Sequence, residues 1–452
     1  MDPQTPSADP PRGAGYRLFR GVVDARPDEI KALGWSWLYI LAVFASYYVI
    51  RPIRDEIGVA GGIENLPWLF TATLLGMLAV NPPFAALVAR LPRARFISIA
   101  YRFFMANLVL FFLLLRSAGA EQSLWVGRVF FVWTSIFNLF VVSIFWALMV
   151  DLFNAEQGKR LFGFISAGAT LGGIMGSSLT AALARTIPPI YLLLASALLL
   201  EVAVFSVRRL SRISGALTRD PAARGENAVI GGGVLAGIVH AFKSPYLLGI
   251  GIYMLLYSVT STFLYFEQAS IVAKSFADRA ARTAFFAQID LIVNVLTLAT
   301  QIFLTERVLR TLGVALTLTL LPALSAVGFG ALGLAPTLAI LVGFQVLRRW
   351  GNFAFARPTR EVLFTVVPRE DKYKTKNFID TAVYRTGDQV GAWSYALFSF
   401  VGMGLTAIAF VAIPISAVWL VNGWWLGRRQ EALARAEARP AEDLSNGRSL
   451  SY

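Results

Sequence analysis

The chain alternates between long apolar runs and short polar connections. An α-helix rises 1.5 Å per residue, so about 20 predominantly apolar residues are needed to cross the hydrocarbon core of a bilayer. By this criterion the pattern predicts about twelve membrane-spanning helices. They centre on residues 33–52, 66–89, 96–115, 124–150, 162–184, 188–207, 246–272, 285–305, 311–331, 334–352, 376–400 and 404–427.

The polar connections predict how these spans are arranged. The longest connection separates two groups of six spans, and basic residues concentrate in alternate loops, which places both termini in the cytoplasm. The predicted regions are a cytoplasmic N-terminal tail (1–30), an N-terminal six-helix half (31–207), a cytoplasmic central loop (208–245), a C-terminal six-helix half (246–427) and a cytoplasmic C-terminal tail (428–452). The expected fold is an all-α polytopic membrane protein with two pseudo-symmetric six-helix halves, which is the layout of the major facilitator type.

Composition supports a membrane protein and excludes most classes of enzyme. Hydrophobic residues make up 56% of the 452 residues, and charged residues make up 15%. The absence of cysteine and the single histidine, His240, leave no thiolate or imidazole cluster for catalysis or for a metal. We therefore expect no enzyme activity, no cofactor and no metal. The net charge of +14 comes from loops between apolar runs, so it indicates membrane topology and not a nucleic-acid partner.

A glycine stripe marks the fifth predicted span. Gly168, Gly172 and Gly176 recur every fourth residue, which leaves one helix face without side chains. Such a face allows a neighbouring helix to approach closely, so we expect a packing role. The same stripe would also allow helices to slide during transport.

Charged residues inside the apolar spans are the candidates for a substrate site. Each costs about 2.5–3.5 kcal/mol at the centre of a spanning helix, so it normally faces a partner or a water-filled cavity. In the first span, Arg51 and Asp55 are four residues apart and are expected to pair, which leaves Arg54 freer to meet a ligand. The alternative is that these charges mark the end of the helix at the membrane interface.

Other spans supply more charged candidates, and arginine dominates among them. A planar guanidinium suits the recognition of carboxylate or phosphate, so this surplus favours a small anionic substrate. Snorkelling or structural ion pairs are the alternatives for individual residues. The further interior residues are Arg102, Arg128, Glu201, Glu267, Asp290, Arg348, Arg349 and Arg385.

The segment 357–391 combines a charged loop with a helix that carries charge into apolar surroundings. Lys376, Asp380, Tyr384 and Asp388 follow at intervals of four, so they share one helix face. We expect a Lys376–Asp380 salt bridge and a pair between Asp388 and Arg385, which lies three residues before it. These pairs are either a structural latch or a gate that exchanges partners when substrate binds.

Three windows resemble the bacterial and plastid ATP/ADP translocases. The windows are YYVIRPIRDEIGV in the first span, FWALMVDLFNAEQGKRLFGFISAG at the fourth-to-fifth connection, and RPTREVLFTVV followed by KYKTKNFIDTAVYRTGD near the eleventh span. The resemblance implies a nucleotide transporter of a bacterial inner membrane. It also implies that Arg54 stands where the translocases have a first-helix lysine important for transport.

The resemblance further implies roles for two short motifs. Its acidic-Lys-Arg signature falls on Glu156, Lys159 and Arg160, and its eleventh-helix motif falls on Lys376, Asp380 and Arg385. The chain departs from the family at Asp388, where the translocases carry a cation, and at Asp151, where they carry an asparagine.

We therefore expect a secondary transporter that moves a small anionic organic solute by alternating access, with exchange of nucleoside tri- and diphosphates as the leading hypothesis. The expected partners are this solute and the lipid bilayer, and the expected assembly is a monomer. One alternative is a proton-coupled carrier of another metabolite, with Glu267, Asp290, Asp380 and Asp388 as candidate proton acceptors. The other is a membrane receptor that keeps the fold without transport.

Overall fold

A computed structural model describes residues 25–27, 29–90, 93–153, 155–217, 244–367, 375–376 and 378–445. The regular elements among these residues are helices, and no strand occurs among them. The first six are α1 (Ile30–Ala60), α2 (Leu66–Arg90), α3 (Arg93–Ser117), α4 (Ala120–Leu152), α5 (Ala155–Leu183) and α6 (Leu192–Leu217). The others are α7 (Pro245–Ser275), α8 (Arg279–Phe303), α9 (Thr305–Leu334), α10a (Leu338–Gly351), α10b (Arg357–Leu363), α11 (Tyr384–Phe400) and α12 (Leu405–Ser445).

Ten of the described helices, α1 to α9 and α12, are long and apolar enough to cross a membrane. The two remaining predicted spans contain π-helical turns. One turn, Asn352–Ala356, joins α10a to α10b, and the other, Ile379–Val383, leads directly into α11. Regular α-helix runs for 14 residues in α10a and for 17 residues in α11. Further helical residues lie on the other side of each π turn. Turns of this kind occur frequently at functional sites.

Several helices extend beyond the predicted apolar spans. Helix α6 continues to Leu217 and α12 to Ser445, where polar residues follow the membrane span. The beginning of the expected charged loop, Arg357–Leu363, is helical. The predicted N-terminal tail up to residue 24, the central connection from 218 to 243 and residues 446–452 lie outside the described residues.

Each group of six helices has its own apolar core. Tyr39, Phe137 and Phe145 are among the fully buried side chains of α1 to α6, while Tyr253 and Trp419 pack edge to face between α7 and α12. A third cluster contains residues from both groups, so the two groups touch along an apolar surface. We call α1 to α6 the N-half and α7 to α12 the C-half.

Contacts between helix ends define the two sides of the membrane. The last turns of α1 meet the first turn of α8, where Glu56 binds Arg279. The first turns of α7 pack against the late part of α12, where Gly249 lies close to Trp425. The starts of α1 and α7 and the end of the α12 span therefore lie on one side, which we call the near side. The end of α1 lies on the far side.

The glycine stripe of α5 lies against α1. A Cβ atom at Gly172 would lie 2.4 Å from the carbonyl oxygen of Leu41, and one at Gly176 would lie 2.4 Å from that of Ala45. At Gly168 the nearest atom would be a methyl carbon of Ile40, at 2.8 Å. Side chains at these positions would therefore push α1 and α5 apart.

Candidate substrate-binding site

The far side of the interface between the halves is closed by an apolar cluster, which we call the far-side seal. The N-half contributes Val59, Leu66 and Phe131, and the C-half contributes Phe266 and Phe285 among others. Leu66 is fully buried. Because both halves supply side chains to one cluster, the far side can open only if this cluster is divided.

Polar contacts reinforce the far-side seal. Arg279 of α8 binds Glu56 of α1 through two hydrogen bonds of 2.9 and 3.0 Å. Thr71 of α2 donates to Gln389 of α11 at 2.9 Å and accepts a bond from the indole nitrogen of Trp393 at 3.1 Å. These contacts join four helices, two from each half.

Deeper in the interface, one carboxylate binds two arginines from different halves. Asp290 of α8 accepts a hydrogen bond from Arg51 of α1 at 2.8 Å, and Arg349 of α10a lies 2.6 Å from the same oxygen. The Asp290 side chain is 3% exposed, whereas those of Arg51 and Arg349 are 20% and 15% exposed. We call these three residues the central ion bridge. Its arginines are open enough to contact a solute, while its carboxylate is enclosed.

Arg54 lies beside the central ion bridge. It binds Asp55 at 3.3 Å, and its guanidinium sits 4.2 Å from the ring centroid of Phe131. Asp55 also accepts a hydrogen bond from Tyr265 of the C-half at 3.3 Å. The expected pairing of Arg51 with Asp55 is therefore wrong, since Arg51 binds a carboxylate in the other half and Asp55 binds the arginine next to it.

Positive charge exceeds negative charge in this group. Three arginines, Arg51, Arg54 and Arg349, face two carboxylates, Asp55 and Asp290. Two buried donors, Nε of Arg54 and Nη2 of Arg349, have no hydrogen-bond partner among the described residues. Buried polar groups normally find a partner. An anion between the halves would supply acceptors for both donors and balance the surplus charge.

Arg348 has a different environment although it is next to Arg349 in sequence. Its guanidinium donates to Ser325 of α9 at 3.1 Å and to Ser261 and Thr260 of α7 at 2.9 Å each. The residue is 4% exposed. Its partners are neutral oxygens of the C-half, so it ties α7, α9 and α10a together and contributes nothing to the central ion bridge.

A second buried carboxylate lies between α7 and α11. Asp388 accepts a hydrogen bond from Ser258 at 2.6 Å and binds Arg385 at 3.1 Å, the pair that the spacing predicts. Gly387 and Gly391 flank it. A Cβ atom on either glycine would lie within 2.9 Å of a side-chain carbon of α7, so the two helices are held close at this level.

The start of the eleventh span does not form the expected latch. Lys376 binds Glu361, and Asp380 lies 3.6 Å from Arg360, so the predicted Lys376–Asp380 pair is wrong. The intervening π turn explains the difference. Its backbone bonds join residues five apart, so positions four apart no longer share one face. Lys376 and Asp380 instead pair with Glu361 and Arg360 of α10b.

Near-side residues of the N-half form another ion cluster. Arg160 of α5 binds Glu29 at 2.9 Å, and the side chain of Gln157 donates to the same carboxylate at 2.9 Å. Burial alone would raise the pKa of Glu29, but the hydrogen bonds from Arg160, the Arg26 backbone and Gln157 hold that pKa below its usual value. The side chain of Lys159 lies outside the described residues.

Three charged residues of α3, α4 and α6 stand apart from the central ion bridge. Arg128 of α4 lies 4.6 Å from the ring centroid of Trp125, and its Nε has no partner among the described residues. Arg102 of α3 binds Glu201 of α6 at 2.7 Å with both side chains about 40% exposed. This last pair lies on the outer surface of the N-half.

The structure thus divides the predicted site residues. It gathers Arg51, Arg54, Asp55 and Asp290, and it separates from them Arg128, Arg160, Glu267, Arg348, Lys376, Asp380, Arg385 and Asp388. Sequence reasoning did not find the partners that come from distant helices, namely Arg279 for Glu56, Tyr265 for Asp55 and Glu29 for Arg160. Spacing along one helix carries no signal for such contacts.

Known transport proteins resemble this chain in sequence or in fold. No protein-family model matches the chain. In sequence it is 22% identical to ADP,ATP carrier protein 2 of Chlamydia pneumoniae over 485 aligned positions, which cover 86% of this chain and 87% of that protein.

Solved transporter structures share the fold at low sequence identity. A bacterial homologue of the iron transporter ferroportin, in an inward-facing state, matches with a TM-score of 0.62 at 13% identity and covers 88% of this chain and 98% of its own. A bacterial homologue of the human lysosomal transporter Spinster matches with 0.57 at 14% identity, covering 91% and 98%. The E. coli xylose transporter XylE, inward open, matches with 0.57 at 12% identity, covering 86% and 94%.

These proteins are transporters and not enzymes. Because ten helices among the described residues are long and apolar enough to span a membrane, the chain is a multi-pass membrane protein. The chain therefore shares the fold of these transporter structures and resembles an ADP,ATP carrier in sequence.

Proposed function

We propose that the protein exchanges anionic nucleotides, such as a nucleoside triphosphate for a diphosphate, between the two sides of a membrane. The observation that carries this proposal is the arginine surplus around the central ion bridge, where partly exposed guanidiniums from both halves meet. Guanidinium groups suit phosphate because they donate paired hydrogen bonds. The sequence similarity to an ADP,ATP carrier supports the same class of substrate.

The central ion bridge also explains why transport would be an exchange. The Arg51–Asp290 contact joins the halves, so opening the far side must break it. Breaking a buried ion pair costs about 3–5 kcal/mol when one charge is left without a partner. An anionic substrate would supply a new counter-ion to Arg51 and Arg349 and so offset this cost. The loaded carrier would then change conformation more readily than the empty carrier.

The closed far side fits a carrier that presents its site to the near side. We propose that the near side is the cytoplasm and that the chain lies in the inner membrane, because the described basic residues Arg95 of α3, Arg160 of α5 and Arg428 of α12 lie there. A monomer is sufficient for this mechanism, since both halves of the site belong to one chain.

Exchange is tested with purified protein in liposomes loaded with ADP or left without nucleotide. We expect labelled ATP to enter only the loaded liposomes. Equal uptake without internal nucleotide would contradict exchange, and absence of uptake together with exchange of another anion would contradict the nucleotide substrate. A pH-driven flux of a neutral solute would contradict both.

Two arginine variants locate the site in the same assay. Arg51→Gln should abolish ATP uptake while the protein still inserts, because it removes one guanidinium of the central ion bridge. Arg102→Gln is the matched control, since Arg102 pairs with Glu201 on the outer surface. Equal loss of uptake in both variants would show that the effect comes from general damage to the fold.

A further inference from the structure

Glu267 differs from Asp55, Asp290 and Asp388 because no arginine or lysine among the described residues forms an ion pair with it. Its residue is 1% exposed, and neither carboxylate oxygen has a hydrogen-bond partner among the described residues. The carboxylate is therefore enclosed in α7, and no hydrogen-bond donor among the described residues contacts it.

The other candidate proton acceptors are paired. Asp290 binds two arginines, Asp388 binds Arg385 and a serine hydroxyl, and Asp380 lies near Arg360. A carboxylate that already holds a guanidinium keeps its negative charge readily. These contacts leave Glu267 as the carboxylate best suited to bind a proton.

Residues of α7 on both sides of Glu267, such as Phe266 and Ile271, belong to the apolar far-side seal. Phe266 packs 4.7 Å from the ring of Tyr395 and 5.9 Å from that of Phe70 in the N-half. Tyr395 of α11 and Lys274 of α7 are the ionisable side chains that act on Glu267 electrostatically. A tyrosine hydroxyl is neutral at ordinary pH, and Lys274 lies about two turns further along α7.

The charged groups on the helices that pack against α7 are engaged elsewhere. The charged side chains of α1, α10a and α11 form the contacts described above. The charged side chains of α12 lie at the near-side end of that helix, whereas Glu267 lies in the far-side part of α7. Glu64, in the turn Ile63–Asn65 between α1 and α2, accepts a hydrogen bond from Asn65. The other groups concerned are Arg51, Arg54, Asp55, Glu56, Arg348, Arg349, Asp380, Arg385, Asp388, Arg428, Arg429, Glu431 and Arg435. An ionised carboxylate in such a place would cost several kcal/mol. The neutral acid costs much less.

We propose that Glu267 is a proton-binding site, protonated while the far side is closed and ionised when it opens, so that opening releases a proton to the far side and closing takes one up from it. The far-side seal provides the link. Phe266 belongs to that cluster together with N-half residues such as Leu66. Separation of the halves removes one wall of the cluster and admits water beside Glu267. Low pH therefore favours the closed conformation and high pH favours opening.

This proposal is tested without any substrate, so its failure is distinguishable from failure of nucleotide exchange. Infrared difference spectra of the purified wild type and Glu267→Gln should show the carbonyl band of a protonated carboxylic acid at neutral pH in the wild type and not in the variant. Glu201→Gln is the control and should retain the band, because Glu201 is paired with Arg102. Identical wild-type and Glu267→Gln spectra would overturn the proposal.

The conformational link is tested with a single cysteine, since the chain has none of its own. Leu66→Cys places a thiol inside the far-side seal, and Ala120→Cys places one at an exposed position as the reference for maleimide reactivity. Relative to that reference, labelling of Leu66→Cys should rise several-fold between about pH 5 and pH 9. Adding Glu267→Gln should remove the rise. An equal rise in both backgrounds would refute the coupling of Glu267 to opening.

Discussion

Replacement of Asp290 by asparagine separates the two roles of the central ion bridge, stability and anion binding. The variant keeps the size of the side chain but leaves Arg51 and Arg349 without their shared carboxylate. Removing one partner of a buried pair costs about 3–5 kcal/mol. Because both arginines are 15–20% exposed and reach some water, we expect a loss near the lower end, about 3 kcal/mol.

An anion should restore much of this loss. A ligand present at 100 times its dissociation constant stabilises the folded protein by about 2.7 kcal/mol. In Asp290→Asn the arginines are already free, so ATP should raise the thermal unfolding temperature of the variant close to that of the empty wild type. In the wild type the same ATP must displace Asp290, so the increase should be smaller. The assay is a thermal unfolding series in detergent with increasing ATP.

Glu56→Gln is the matched control for Asp290→Asn. It also removes a carboxylate that joins the two halves, but its partner Arg279 is 54% exposed and lies outside the arginine group. An ion pair with one partner in water contributes about 1 kcal/mol or less. ATP should stabilise this variant no more than the wild type. If ATP stabilises Asp290→Asn and Glu56→Gln equally, the central ion bridge is not the anion site.

Three other variants test the packing and the ion clusters. Gly172→Ala should destabilise the protein by about 1–3 kcal/mol, because its Cβ atom would lie 2.4 Å from a carbonyl oxygen of α1. Gly163→Ala is the control and should be neutral, since a Cβ atom there would have no atom within 4 Å. Equal unfolding temperatures of the two variants would contradict the close α1–α5 contact. Arg348→Lys should lower the unfolding temperature without changing the KM for ATP, because an ammonium group cannot reproduce the planar guanidinium that binds both α7 and α9. A large rise in KM would place Arg348 in the substrate site. Glu29→Gln should lose stability at neutral pH. This deficit should shrink in acid, as the pH falls through the lowered pKa of Glu29 and the wild-type carboxylate is protonated. A deficit independent of pH would show that the Glu29–Arg160 pair contributes no charge interaction.

Hydrophobic patterning predicted the ten described helices that are long and apolar enough to span a membrane, because burial in lipid demands long apolar runs whatever the tertiary contacts are. Helix ends were less predictable. The polar helical turns at the ends of α6 and α12 contain few apolar side chains, so the pattern of apolar residues does not predict them.

Charge pairing was predicted correctly only where it is local and the helix is regular. Arg385 and Asp388 pair as their spacing indicates. Arg51 instead binds a carboxylate 239 residues away, which no local spacing encodes. The predicted pair of Lys376 with Asp380 does not form for another reason. The π turn at Ile379–Val383 changes the helical repeat at that point.

The contacts of each buried charge indicate whether it can take part in transport. In alternating access the two halves move largely as rigid bodies, so contacts within a half persist while contacts between halves are made and broken. Arg348 binds oxygens of its own half and therefore stabilises one fixed arrangement. Arg51 and Glu56 bind residues of the other half and must change partners in each cycle. Variants of the first kind should lower stability in every conformation, whereas variants of the second kind should change the balance between conformations.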